Sequence, residues 1–312
     1  MSFKNGKNLS LRWYNPSMNK FPKILLAVLA VAISLATVWF FQSQRYEITR
    51  EGVSGETSGK LLIYFLDVGQ GDATLIRTPD DQDILIDGGP DNNTVKKLGK
   101  YLPFFDQELD LIILSHPHSD HLSGMIEILK RYKVKKILFT GVAYKTADYL
   151  SFLNLVEEKN IPTEIIVAPK EIKLGENLEM EFLWPRENLS GKTIENLNNS
   201  SIANKLIYAS TSVLFMGDLE EEEKLIGDLD SDIIKIGHHG SSNANDLEFL
   251  EKASPETAII SVGENNKFGH PHYRTLSNLE KISAQILRTD ILGDIVFSSD
   301  GKEFFQIKTM TP

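Results

Sequence analysis

The sequence predicts an α/β protein in which two sheets lie between outer helices, a four-layer αββα sandwich, and three features indicate it. Short apolar segments, typical of buried strands, repeatedly end in polar or glycine-rich residues. The first of these segments follow one another closely, as hairpins do, and later ones alternate with helical patterns. The chain has 312 residues, of which 41% are hydrophobic, enough for one large core. We therefore expect one globular domain over residues 61–312.

The segment that precedes this domain predicts a membrane anchor. Residues 24–41 are uncharged and just long enough to cross a thin bilayer as a helix. Residues 1–23 contain five basic residues and no acidic one, so we expect them in the cytoplasm and the domain outside the cell membrane. The polar residues 42–60 include three glycines and predict a flexible tether. A cleaved signal peptide is the alternative, but Trp39-Phe40-Phe41 stands where a cleavage site has small residues.

The charge of the chain limits the substrates that it can bind over a large surface. The formal net charge is -10, and removing the five basic residues of segment 1–23 leaves -15 for the rest. An acidic body is a poor match for long nucleic acid, whose binding depends on phosphate neutralisation. This counts against extended DNA binding and leaves brief contact at a metal site open.

Three of the seven histidines lie within six residues, directly after an apolar segment. Residues 111–114 predict a short buried strand, and the histidines leave its C-terminal end, where α/β proteins keep their chemistry. Pro117 restricts the backbone around His116 and His118, so both imidazoles can be held towards one point. The chain has no cysteine, so nitrogen and oxygen atoms must hold any metal. The pattern therefore predicts a site for Zn²⁺ or Mn²⁺.

Four further residues extend this prediction. Asp120 and His121 are adjacent, so their side chains leave the backbone in different directions, which suits a second metal position. His238 and His239 follow another predicted strand, and we expect one to be a ligand and the other to transfer a proton or contact a phosphate. The sequence does not decide between them. For His270 three roles stay open: a ligand, a general acid or a turn residue.

Five motifs in this order resemble the metallo-β-lactamase fold, and more narrowly the C-terminal hydrolase domain of ComEC-type competence proteins. The motifs are Asp67-Val68-Gly69-Gln70-Gly71-Asp72, His116-Pro117-His118-Ser119-Asp120-His121, Met216-Gly217-Asp218, Gly237-His238-His239-Gly240-Ser241 and Phe268-Gly269-His270-Pro271. The resemblance implies one or two divalent metal ions held by His116, His118, Asp120, His121, Asp218 and one of His238 and His239. It also implies catalytic roles among Asp120, His239 and His270, and supporting or substrate-facing roles for Asp67, Gln70, Asp72, Asn199, Ser201 and Ser241.

The chain departs from the wider fold at one place, since no histidine lies between His121 and His238. In the resembling fold that interval supplies a third imidazole for the first metal position. We therefore expect the first position to have at most three protein ligands, and the second to have four.

The resemblance and the metal site predict a hydrolase in which water attacks an ester, most plausibly a phosphodiester. Three functions stay open. The first is a membrane-tethered nuclease acting on external DNA, which would need a separate DNA-uptake channel protein, because this chain has a single apolar span. The second is an esterase for a small phosphodiester of the phosphorylcholine type. The third is a metal-binding module without catalysis.

Overall fold

The computed structural model describes residues 59–103 and 105–307. Segments 1–23 and 24–41 and nearly all of the tether 42–60 lie outside these residues, so the predicted anchor is not described. Within the described ranges, none of the helices combines the length and the apolar character that crossing a membrane requires. The described residues form two large sheets with helices, which confirms the predicted mixed α/β fold.

The first sheet has eight strands in the order β17-β16-β1-β2-β3-β5-β7-β8. Strands β1 to β3 form the predicted antiparallel hairpins, and β3, β5, β7 and β8 run parallel. The C-terminal strand β16 returns to pair with β1. The strands are β1 (Leu61–Phe65), β2 (Thr74–Arg77), β3 (Asp83–Ile86), β5 (Leu111–Ile113), β7 (Ile137–Phe139), β8 (Thr163–Ile165), β16 (Ile295–Ser299) and β17 (Phe304–Ile307), with β4 (Glu108–Leu109) and β6 (Lys133–Val134) paired separately.

The second sheet has seven strands in the order β15-β14-β13-β12-β11-β10-β9. Strands β9 to β12 form an antiparallel meander, and β12 to β15 run parallel. The strands are β9 (Lys170–Gly175), β10 (Leu178–Trp184), β11 (Ala203–Tyr208), β12 (Thr211–Phe215), β13 (Ile233–Lys235), β14 (Thr257–Ile260) and β15 (Gln285–Arg288).

One apolar core joins the two sheets, and it includes Ile63 and Ile113 of the first sheet and Leu206 and Val213 of the second. A second core lies between the second sheet and two of the helices. The described helices are α1 (Asn93–Tyr101), α2 (Ser119–Arg131), α3 (Ala147–Glu158), α4 (Leu247–Ala253), α5 (Tyr273–Lys281) and α6 (Thr289–Leu292). Burial of this apolar surface is the main source of stability.

Two local predictions are wrong. Residues 125–132 predict a helix behind the histidine loop, but α2 already begins at Ser119, so Asp120 and His121 lie in its first turn. His121 and Leu122 are already buried there, because the helix packs against the glycine turn that follows β3, where Gly88 N donates to His121 O at 2.7 Å. The acidic residues 220–223 predict the first turn of a helix, but only a 3-10 turn forms over Glu222–Lys224.

Candidate metal centre

Strand ends from both sheets bring the predicted site residues together. In the first sheet β3 and β5 are parallel neighbours, and they end just before Asp87 and His116. In the second sheet β12 and β13 are parallel neighbours, and they end just before Asp218 and His238. The carboxyl ends of neighbouring parallel strands meet at one edge of a sheet, where a crevice for ligands forms.

Four side chains form one compact group, here called the four-residue cluster: Asp120, His121, Asp218 and His239. One ligand atom of each lies within 4.8 Å of the others. His121 Nε2 is 3.3 Å from Asp218 Oδ2, and His239 Nε2 is 3.3 Å from Asp120 Oδ2 and 3.7 Å from Asp218 Oδ2. Two imidazole nitrogens thus face two carboxylates across a short gap.

A second group, here called the three-residue cluster, consists of His116, His118 and Asp218. His116 Nε2 lies 3.7 Å from Asp218 Oδ2 and 2.9 Å from His118 Nδ1. Asp218 therefore belongs to both groups. The three-residue cluster contains the residues expected for the first metal position, and the four-residue cluster contains those expected for the second.

Buried hydrogen bonds orient the imidazoles of the four-residue cluster. His121 Nδ1 lies 2.8 Å from Asp87 Oδ2, and the Asp87 carboxylate also accepts the hydroxyl and the amide of Ser115 at 2.6 and 2.8 Å. His239 Nδ1 donates to Ser261 O at 3.0 Å. In both rings Nδ1 is thereby engaged and Nε2 is left to face the cluster, the arrangement that metal-binding histidines use.

A buried ion pair lies behind the same cluster. Lys235 Nζ is 2.6 Å from Asp72 Oδ2, and both side chains are less than 7% exposed. Asp72 Oδ1 is in turn 3.5 Å from His239 Nδ1. Asp72, predicted as a supporting residue, thus connects an internal lysine to a ring of the cluster.

His238 and His239 are consecutive residues in the left-handed backbone region, with φ of 47° and 52°. Such values cost free energy in a non-glycine residue and persist where the surroundings enforce them. Here Asn245 holds Gly237 through two hydrogen bonds of 2.9 Å, and His238 N donates to Gly217 O. The turn sends the two imidazoles to different places.

The structure places the two imidazoles of this pair at different positions. His239 lies in the four-residue cluster, whereas His238 belongs to neither cluster within the described residues. His238 Nε2 is 3.9 Å from Asp218 Oδ2, and its Nδ1 is 2.8 Å from Glu220 Oε1. Glu220 also accepts the side-chain amides of Asn196 and Asn198. His238 is thus held at the edge of the site.

A cavity of about 310 Å³ opens beside the clusters. Its wall combines site residues with polar and aromatic side chains. The lining residues are His118, Ser119, Asp120, Tyr144, Thr146, Asp148, Asn198, Asp218, His238 and Phe268. Because members of both clusters reach this wall, a ligand in the cavity would contact the candidate metal centre.

The electrostatics of the clusters differ. Burial, with the neighbouring His121, holds the pKa of His116 well below its usual range, and burial also lowers the pKa of His118. Burial acts in the same direction on His121 and His239, but nearby carboxylates outweigh it. Asp218, with Asp87, raises the pKa of His121 well above its usual range, and Asp218, with Asp72, raises the pKa of His239 to about 10.

The carboxylates respond in the opposite sense. Burial alone would raise the pKa of Asp218, but His121 and His239 hold it well below its ordinary value. Asp120 behaves in the same way through the same two histidines. The site is therefore a buried concentration of negative charge that stabilises positive charge between its side chains.

Several buried atoms in the clusters make no hydrogen bond to any described residue. They are His121 Nε2, His239 Nε2 and Asp218 Oδ1. Orphaned buried polar atoms are costly, so their convergence requires an explanation. Imidazole nitrogens and carboxylate oxygens are the ligands of Zn²⁺ and Mn²⁺, and these residues fit such an ion. The histidine and aspartate clusters therefore imply bound divalent metal.

Two predicted supporting residues hold parts of the centre in place. Ser201 Oγ accepts the amide of Asp218 at 3.0 Å. Asn199 Oδ1 accepts the amide of Glu220 at 3.1 Å. The first bond fixes the carboxylate that both clusters share, and the second fixes the residue that holds His238.

Three other predicted residues support loops and contact no cluster residue through the hydrogen bonds described. Gln70 Oε1 accepts the amide of Gly263 at 3.2 Å. Asp67 Oδ1 accepts the amide of Gly69, and Ser241 Oγ accepts the amide of Asn243. They maintain the shape of the turns around the centre.

His270 lies outside both clusters as well. Its ring centroid is 5.4 Å from that of His238 and 6.2 Å from that of His239. Burial, followed by the neighbouring His239, lowers the pKa of His270 to about 4, so the ring is neutral at pH 7.

Sequence reasoning missed three residues of the centre: Asp87, Glu220 and Lys235. Two signals were available. Asp87 ends an apolar strand before two glycines, as Asp218 ends another. Lys235 interrupts an apolar strand with a charge, which in a buried strand requires a partner. For Glu220 the local pattern gave no such signal.

Comparison with known proteins agrees with this geometry. Residues 66–264 match the family described as the metallo-beta-lactamase superfamily. ComE operon protein 3 of Bacillus subtilis is 30% identical over 256 residues, covering 74% of this chain and 32% of that protein. Competence protein ComA of Neisseria gonorrhoeae is 27% identical, covering 74% of this chain and 31% of that protein. This chain therefore spans about a third of the length of these relatives.

Among solved structures, the metallo-beta-lactamase fold protein YhfI of Bacillus subtilis superposes with a TM-score of 0.53 and 16% identity. The match covers 77% of this chain and all of YhfI. At this identity the likeness concerns the fold. The family match over residues 66–264 and the 30% identity to ComE operon protein 3 show that the chain belongs to the metallo-β-lactamase superfamily and is related to competence proteins.

Proposed function

We propose that the domain hydrolyses phosphodiester bonds with two divalent metal positions, one held by each cluster. His116, His118 and Asp218 would bind the first ion, and the four-residue cluster would bind the second. The observation that carries the proposal is the pair of ligand groups that share one buried carboxylate. The mixed nitrogen and oxygen set suits both Zn²⁺ and Mn²⁺.

A divalent metal held by these residues would lower the pKa of water towards neutrality and would offset negative charge on phosphoryl oxygens. The protein supplies position. Asp218 aligns the two clusters, and Ser201 fixes its backbone. Asp120 has a side chain that is 29% exposed and reaches the cavity, so it is placed to accept a hydrogen bond from the attacking water and to orient it.

His238 is the group that we assign to the substrate. Its Nδ1 side is engaged by Glu220, and the ring lines the cavity. This leaves Nε2 for a phosphoryl oxygen or for the departing oxygen. His270 meets this ring edge-on and is neutral, so we assign it a packing role beside the centre.

For the substrate we propose short stretches of single-stranded DNA outside the cytoplasm. The likeness to proteins named for competence supports a role linked to DNA uptake. The acidic body opposes extended duplex binding but permits contact at a cationic centre. We further propose that residues 24–41 anchor the domain outside the membrane, and that a separate DNA-uptake channel protein is its partner.

The decisive assay compares two phosphodiesters with the full-length chain in detergent, loaded with Zn²⁺ or Mn²⁺. We expect cleavage of a single-stranded oligonucleotide and of bis(p-nitrophenyl) phosphate, both abolished by Asp218→Asn. Asp230→Asn, which removes an exposed carboxylate outside both clusters, is the matched control and should cleave both substrates normally. Cleavage of the small substrate alone would favour the small-phosphodiester esterase. Cleavage of neither, with metal bound, would contradict the proposal and favour a non-catalytic module.

The proposed topology has its own test. Protease added to intact cells should remove the domain if segment 24–41 anchors it outside. Persistence of the domain in cells whose outer surface is accessible to protease, shown with a known external protein, would contradict the orientation.

A further inference from the structure

An exposed aromatic side chain stands at the rim of the cavity. Phe268 is 63% exposed, yet it lines the same cavity as Asp120, Asp218 and His238. Single exposed apolar residues are common on surfaces and need no explanation. One at the mouth of a candidate metal centre is placed to contact whatever enters.

The loop that presents Phe268 is braced. Asn266 Oδ1 accepts the amides of Phe268 and His270 at 3.2 and 3.0 Å, and Asn266 Nδ2 donates to His270 O at 2.7 Å. The side chain of His272 also reaches Phe268 O, with Nε2 at 3.2 Å. The backbone that carries the ring is therefore held in place before any ligand binds, which reduces the entropy that ordering this loop would cost.

Three near-parallel rings lead outward from the four-residue cluster. The ring planes of His239 and His270 differ by 29°, and those of His270 and Phe268 by 22°, with centroids 6.2 and 5.7 Å apart. Tyr144 contributes a second aromatic ring to the cavity wall. It contacts His118 edge-on, with the ring centroids 6.1 Å apart. A planar ring that entered the cavity could stack on Phe268 and extend the series of near-parallel rings formed by His239, His270 and Phe268.

We propose that Phe268 stacks on a nucleobase next to the phosphodiester bond held at the centre. This inference rests on the proposed phosphodiesterase function and names its substrate class: single-stranded nucleic acid with an unstacked base beside the bond that breaks. Stacking on an aromatic side chain strengthens the binding of a base by about tenfold, and any of the bases can stack in this way. A choline group would instead favour an aromatic cage around a cation. The near-parallel ring series fits a planar ring better.

The size of the cavity agrees with one such base. At about 310 Å³ it lies at the small end of ligand pockets, which span roughly 300–1,000 Å³. Thr146 and Asn198 on the wall offer polar atoms for a sugar or a base edge. A base still paired in a duplex could not leave its partner to stack here without an unpairing cost.

The test uses metal-loaded full-length protein in detergent and two substrates, a single-stranded oligonucleotide and the same oligonucleotide with abasic linkers. Wild type should have the lower KM for the base-bearing strand. Phe268→Ala and Phe268→Leu should each raise that KM by about tenfold with little change in kcat, because both lose the aromatic face. Neither should change the KM for the abasic strand. Phe268→Trp should keep the wild-type KM.

Phe305→Ala provides the matched control, since Phe305 is an exposed aromatic on β17 and does not line the cavity. It should retain the wild-type KM on both substrates. Equal KM values for wild type on the two strands, or a Phe268→Leu variant as good as wild type, would overturn the inference.

A binding readout keeps this test separate from the proposed function. In Phe268→Trp the added indole should be quenched on titration with the base-bearing strand, and far less with the abasic strand; wild type, with its own tryptophans, gives the baseline. Quenching without any phosphodiester cleavage would support base binding while contradicting the hydrolase proposal. Cleavage with no base-dependent quenching would do the reverse.

Discussion

The two clusters share Asp218 but differ in how the protein holds them. In the four-residue cluster, His121, Asp218 and His239 are almost fully buried, and Asp87 and Ser261 engage the far side of both rings. In the three-residue cluster, His118 is only half-buried and lines the open cavity. Asp120 gives the four-residue cluster a partly exposed member at the same cavity, so the clusters differ in their number of ligands and in having two fully buried imidazoles against one.

This difference indicates a division of labour between the two metal positions. More ligands, each held by a second partner, give tighter metal binding. A position with three protein ligands beside a cavity leaves room for water and substrate. We therefore expect the four-residue cluster to bind metal first and the three-residue cluster to complete the active centre.

The largest effect should come from the residue that both clusters share. Asp218→Ala should lose metal from both positions and lower turnover by more than about 100-fold, since even partners of metal ligands cost roughly 10- to 100-fold when removed. Elemental analysis and phosphodiester turnover measure the two effects. Unchanged metal content would reject Asp218 as a shared ligand.

Single-cluster variants sharpen the comparison. His239→Ala should remove the tighter of two calorimetric binding steps, whereas His118→Ala should remove only the weaker step and leave one equivalent bound. Both should lose most activity, because the complete centre needs both positions. If the two variants lost the same binding step, the division into two clusters would be wrong.

The buried ion pair behind the four-residue cluster should contribute to folding stability. Lys235→Met leaves the Asp72 carboxylate buried without its cation, and breaking such a pair typically lowers the free energy of unfolding by ~3–5 kcal/mol. Urea denaturation of the metal-free protein measures the change. Lys133→Met breaks an exposed pair with Glu108 and should leave the free energy of unfolding almost unchanged. Equal decreases in the free energy of unfolding of the two variants would show that burial does not strengthen the Lys235–Asp72 ion pair.

The smallest expected effect concerns protons. Because the pKa values of His121 and His239 are raised, both rings carry protons at pH 7 and must lose them to bind metal. The pKa values of His116 and His118 are lowered, so these rings are already neutral. Affinity of the tighter step should therefore rise with pH, and calorimetry in buffers of different ionisation enthalpy should detect proton release in that step alone. Proton release in the weaker step instead would reverse the assignment.

The sequence predicted the site residues that lie close together in the chain, directly after an apolar strand. His116, His118, Asp120 and His121 stand together after one apolar strand, and Asp218 ends another, so residue type and position sufficed. The sequence could not distinguish the positions of His238 and His239. Their side chains diverge because both residues adopt left-handed backbone angles, in a turn that Asn245 stabilises from outside the motif.

Other features depend on packing between distant segments. Lys235 meets Asp72 across 163 positions of the chain, and the Asp87 carboxylate reaches His121 only once α2 packs on the turn after β3. Phe268 stands in one of the five motifs, but the motif does not predict that its ring is exposed at the cavity, because exposure depends on the folded loop. Such contacts are set by tertiary structure, which local patterns do not contain.

The most direct test of the central claim is a metal titration of the metal-free protein, followed in parallel by calorimetry and by phosphodiester turnover. Two clusters of four and three ligands predict two unequal steps, with hydrolysis appearing only as the weaker step fills. Two equal and tight steps, or full activity at one equivalent of metal, would contradict the account and show that another side chain completes the three-residue cluster.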